Sequence, residues 1–74
     1  MKWQLDDLPV FVAVVEQGGV SAAARALGLS KSSVSTVLSR LEQSLQLRLL
    51  ERSTRSVRVT SEGEVLYRQA LLIL

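Results

Sequence analysis

Between Val20 and Leu41 the chain reads VSAAARALGLSKSSVSTVLSRL, two helix-forming stretches held apart by one glycine and, two residues later, one serine. Few arrangements satisfy so short a link. Ala22, Ala23, Ala24 and Ala26 are small enough for two helices to approach closely, and the two-residue step from Gly28 to Ser30 forces a steep crossing. Gly28 can adopt the left-handed conformation that closes a helix, while Ser21 and Ser30 can each cap one by accepting a free backbone N–H.

The second stretch is expected to be helical over about 31–45. Val34, Val37, Leu38, Leu41 and Leu45 recur there at i, i+3, i+4, i+7 and i+11, which gathers them into one stripe for a core. Roughly opposite stand Ser32, Thr36, Ser39 and Gln43, with Lys31, Ser35 and Arg40 on the flanks. A face so free of bulk reads in two ways. It is either the solvated side of an ordinary helical bundle or a surface that sinks into the major groove of DNA, where hydroxyls and long side chains reach base edges and phosphates. The steep crossing favours the second, since a parallel bundle has no need of it.

Charge is distributed accordingly. Residues 21–60 carry seven cations (Arg25, Lys31, Arg40, Arg48, Arg52, Arg55, Arg58) against Glu42 and Glu51, a net of +5 in a chain whose total is +2. A polyanion meets a basic middle flanked by weakly acidic ends. With 74 residues and neither cysteine nor histidine, the chain is one small domain that packing alone must stabilise. The same absence removes the commonest nucleophile–base pairs and soft-metal sites, and Gly18-Gly19 opens no phosphate-binding loop, so an enzyme is not expected. The apolar runs at 10–15 and 70–74 fall far short of the ~18 residues of a spanning helix, and Asp6, Asp7 and Pro9 interrupt any signal-peptide core. Trp3, Phe11 and Tyr67 lie outside the basic middle, which disfavours stacking on single-stranded RNA.

Around the central motif, Leu5, Leu8, Phe11, Val12 and Val15 predict a first amphipathic helix, capped by Asp6, with Pro9 tolerable in its first turn and Gln17-Gly18-Gly19 as its end. After Leu45 the period changes. Residues 47–52 and 57–60 are short β-compatible runs about the polar tip Ser53-Thr54-Arg55-Ser56, a hairpin with Leu47, Leu49, Val57 and Val59 on one face and Arg48 and Arg58 on the other. Thr60 then caps a last helix, with Glu62 placed for its dipole. That helix carries Val65, Leu66, Ala70, Leu71, Ile73 and Leu74, more apolar surface than so small a monomer buries, and a second copy of the chain is the expected cover.

From FVAVVEQ through SAAARALGLS, SRLE, LLERSTRSVRVT and TSEGE, nearly the whole chain resembles the N-terminal DNA-binding domain of LysR-type transcriptional regulators. The resemblance implies a mostly α winged helix-turn-helix: three helices, a β-hairpin wing at about 48–60 and a C-terminal linker helix. Residues 1–60 would form the DNA-binding domain and 61–74 the start of the dimerising linker helix, cut before an effector-binding domain. It further implies a cytoplasmic bacterial regulator that binds an interrupted palindrome in double-stranded DNA as a homodimer, with tetramers in the full-length parent, no membrane contact and no cofactor in this segment. Carried over by motif, the recognition-helix contacts fall on Ser30, Lys31, Ser32, Ser33, Ser35, Thr36, Ser39 and Arg40, and the wing contacts on Arg52, Ser53, Thr54 and Arg55. Lys31 stands where many members carry Gln and Thr36 where Arg or Lys is frequent, so the base preference does not transfer. A winged-helix module used only for protein assembly is the competing class.

Overall fold

The computed structural model describes residues 7–52 and 57–73. The elements run α1 (Asp7–Gln17), α2 (Val20–Leu27), α3 (Lys31–Leu45), β1 (Leu50–Arg52), β2 (Val57–Val59) and α4 (Ser61–Ile73). The mostly helical winged arrangement expected from the sequence is the one observed.

Helix α1 lies at the centre and packs against α2, α3 and α4. Three neighbours require an apolar surface almost all round, and Leu8, Val10, Phe11, Val12 and Val14 are all buried. An amphipathic reading names only one side of such a helix; Val10 and Val14 join the core because α2 and α3 cover them. Pro9 sits in the first turn, where a missing N–H leaves no helical bond unmade. Leu5 and the expected cap Asp6 lie outside the described residues.

Helix α2 ends as its glycine dictates. Gly28 has φ 70°, and the N–H groups of Gly28 and Leu29 bond the carbonyls of Arg25 (3.3 Å) and Ala24 (2.9 Å), a Schellman closure. Its start corrects the expectation for Ser21: the N-cap is Gly19, with no side-chain cap, and Ser21 falls inside the helix. The hydroxyl of Ser30 does cap α3, accepting the Ser33 N–H at 3.1 Å and donating to the Ser33 hydroxyl at 2.9 Å. Val34, Leu38 and Leu41 are fully buried, with Val37 and Leu45 packed at the margin. Gln46 closes α3 in the left-handed region at φ 54°, a position where glycine is usual.

The hairpin is shorter than the hydrophobic runs imply. Leu50 pairs with Val59, Glu51 with Arg58 and Arg52 with Val57, which leaves the four residues 53–56 between the paired ends. The expected inward alternation also needs correcting: Leu47 is exposed, whereas Leu49 and Leu50 are buried together. Two adjacent inward residues arise because Leu49 precedes the strand, in a segment whose direction is set by Glu42 on α3. The Glu42 carboxylate accepts the N–H groups of both Leu49 (2.8 Å) and Leu50 (3.2 Å).

Thr60 joins hairpin to last helix. Its hydroxyl donates to the Arg48 carbonyl and accepts the Gly63 N–H at 3.0 Å, and its own N–H bonds the Leu49 carbonyl at 3.0 Å. Gly63, Leu66, Tyr67 and Ala70 form the inward stripe of α4, and Ala70 closes a small second cluster with Leu8 and Val12. The apolar set expected at a partner is thereby divided. Leu66 and Ala70 serve this domain's own core, Val65, Leu71 and Ile73 are exposed together with the neighbouring Leu72, and Leu74 lies outside the described residues. Tyr67 donates to the Glu16 carboxylate at 3.0 Å, and that bond pushes the Tyr67 phenol above its ordinary pKa.

Candidate nucleic-acid interface

Capping by Ser30 and burial of the Val34–Leu38–Leu41 stripe fix which side of α3 faces outward. Lys31, Ser32, Ser33, Thr36 and Ser39 are exposed, and Ser35 and Arg40 are half-buried at the edges. Ser35, Thr36, Ser39, Arg40 and Gln43 line one shallow open depression along the helix. The side chains that line it carry three hydroxyls, one amide and one guanidinium. Such a surface presents donors and acceptors without bulk, as reading base edges requires.

Several polar side chains at this helix are already engaged within the protein. Ser30 and Ser33 bond to each other at the helix start. Arg40 reaches back to α1, where its Nη2 and Nε donate to the two carboxylate oxygens of Asp7 at 2.6 and 3.1 Å. Asp7 is almost wholly buried, with 4% of its side chain exposed against 30% for Arg40. The hydrogen bond to Asp7, more than its charge, holds the guanidinium proton even more firmly than usual. The sequence puts Arg40 among the expected DNA contacts and gives no sign of Asp7, since a partner 33 positions away leaves no local signal. The role of Glu42 in seating the hairpin was not expected either: the N–H groups it accepts lie seven and eight positions on, beyond the end of its helix.

Arg25, Lys31, Arg48 and Arg58 are exposed cations of the same basic segment. For Arg52 only the backbone is described, as the β1 partner of Val57, and Ser53, Thr54 and Arg55 lie outside the described residues. No helix among the described residues is long and apolar enough to cross a membrane.

A packed helix pair joined by a short turn, an outward polar face on its second helix and a two-stranded hairpin define a winged helix-turn-helix DNA-binding domain. Residues 5–64 match the family model described as bacterial regulatory helix-turn-helix protein, lysR family. The chain belongs to that family. It is 45% identical over all 74 residues to the transcriptional regulator CrgA of Neisseria meningitidis, of which it covers 25%. Among solved structures it superposes on the BenM DNA-binding domain in complex with catB site 1 DNA, with TM-score 0.91 and 37% identity, covering 95% of this chain and 79% of that one. The CbnR DNA-binding domain in its DNA complex gives TM-score 0.92 and 34% identity, covering 95% and 80%. These relatives are regulators rather than enzymes, and the chain spans a fifth to a quarter of the length of the curated ones.

Proposed function

We propose that α3 enters the major groove with Lys31, Ser33, Ser35 and Thr36 at base edges and Ser32 and Ser39 on flanking phosphates, Ser30 holding the helix start in place. Arg52, Ser53, Thr54 and Arg55 bring the wing to the backbone or minor groove. The chain acts in the bacterial cytoplasm as the DNA-reading end of a longer regulator. Two copies pair through the outer side of α4 and set two recognition helices on the halves of an interrupted palindrome, and the full-length parent assembles further into tetramers.

The observation that carries this reading is the row of exposed small polar side chains on α3, opposite a fully buried stripe and inside the +5 segment. Selection of bound sequences from a random duplex pool tests it, followed by Thr36→Ala. That variant should lose about 1–3 kcal/mol on the selected site and little on random DNA. Equal losses on both would refute base reading at Thr36. Failure of the chain to bind any duplex at low salt would leave protein assembly as the role of the fold.

A further inference from the structure

We propose that Asp7 is a specificity-setting residue: by holding the Arg40 guanidinium it withdraws one cation of the recognition helix from indiscriminate phosphate binding. The proposal rests on the reading of α3 as the DNA-facing helix.

Arg40 lies in the depression with Ser35, Thr36, Ser39 and Gln43, where an unengaged guanidinium would bind whatever phosphate came near. Its two-point bond to a buried carboxylate changes both charge and geometry. An ion pair is neutral as a unit, so bringing it to DNA neutralises no phosphate and releases no condensed counterion. Of the five N–H groups of an arginine, two are spent on Asp7, and the others are held in one plane fixed from the core side. Non-specific affinity for duplex DNA is almost wholly electrostatic, whereas affinity for a chosen site includes base contacts that do not depend on this charge. Neutralising a cation at this position therefore lowers the first more than the second. Asp7 never touches DNA in this account. It acts through the side chain of Arg40, from the first turn of α1.

The test is the salt dependence of binding to a random-sequence duplex, measured on variants shown to be folded by thermal melting. Asp7→Asn keeps the shape and removes the charge that holds Arg40. Its log–log slope should steepen by about 0.9, with affinity at 0.1 M salt rising about eight-fold, and the ratio of selected-site to random-site affinity should fall. The double variant Asp7→Asn/Arg40→Met leaves neither an unpaired charge nor a free cation, and it should return to the parent slope. Should Asp7→Asn fail to fold, the double variant alone decides: a slope shallower than the parent's by about 0.9 would mean that Arg40 already sits on phosphate and would overturn the proposal. An unchanged slope in folded Asp7→Asn would overturn it equally. Loss of slope in Lys31→Ala, measured alongside, reports on α3 itself, so a failure of the helix reading is distinguishable from a failure of the role given to Asp7.

Discussion

The carboxylate of Glu42, near the end of the recognition helix, accepts the backbone N–H of Leu49 at 2.8 Å and with it aims the chain into the hairpin. The same oxygen takes the Leu50 N–H at 3.2 Å, so one side chain satisfies two donors at the edge of the core. Glu42→Ala should cost about 1–3 kcal/mol in chemical denaturation, because it strands both donors beside the buried leucines. Glu42→Gln, which keeps an acceptor but no charge, should cost less. Equal stability of Glu42→Ala and the parent chain would show that water replaces the carboxylate without loss.

Gly63 offers a test in which the sign alone decides. In an exposed helix Gly→Ala gains up to about 1 kcal/mol. Here a Cβ would overlap the Leu49 carbonyl oxygen and stand 2.8 Å from Val59 Cγ1. Backbone on one side cannot yield as a flexible side chain does, so Gly63→Ala should destabilise by about 1–3 kcal/mol. A raised melting temperature would refute the close packing of α4 on the hairpin.

Tyr67 is the one tyrosine of the chain, so phenolate absorbance reports it without ambiguity. Its hydrogen bond to Glu16 favours the neutral phenol, followed in effect by partial desolvation and the Glu16 charge, and its midpoint should lie above the ordinary ~10. A phenol whose folded pKa is raised stabilises the fold fully below the unfolded pKa, and that contribution disappears as pH climbs through the folded one. Glu16→Ala should bring the midpoint down toward the ordinary value. A midpoint indifferent to this change would mean that the bond to Glu16 does not form in solution.

On α4, Val65 (58% exposed) and Leu72 (81%) lie seven residues apart on one side, while Leu66 faces inward. Val65→Glu combined with Leu72→Glu should therefore yield a folded monomer by sedimentation, with like charges set against each other across a twofold contact. Leu66→Glu should instead unfold the domain, since it puts a carboxylate among core side chains. The paired chain should present its recognition helices about 34 Å apart, one turn of DNA, or a multiple of that. A parent chain that sediments as a monomer at micromolar concentration would sink pairing through this helix alone.

Local chemistry is what a sequence states most directly. The turn between α2 and α3 followed from Gly28 and Ser30, the recognition face from the period of Val34, Leu38 and Leu41, and the start of α4 from Thr60, because caps, left-handed closures and amphipathic stripes depend on residues within a turn or two. The misplacements share the opposite character. Ser21 lost its cap role because Gly18 and Gly19 let α2 begin earlier, Leu47 turned outward because Glu42 redirects the segment, and Leu66 turned inward because α1 covers it. Nothing near Asp7 in the chain announces Arg40, nor anything near Gly63 the carbonyl of Leu49. Such pairs form only after helices have packed, when burial makes an unpartnered carboxylate costly and leaves no room for a methyl group. The sequence alone determined that this chain carries a recognition helix; only the packed fold decided which of that helix's side chains are already bound to the protein itself.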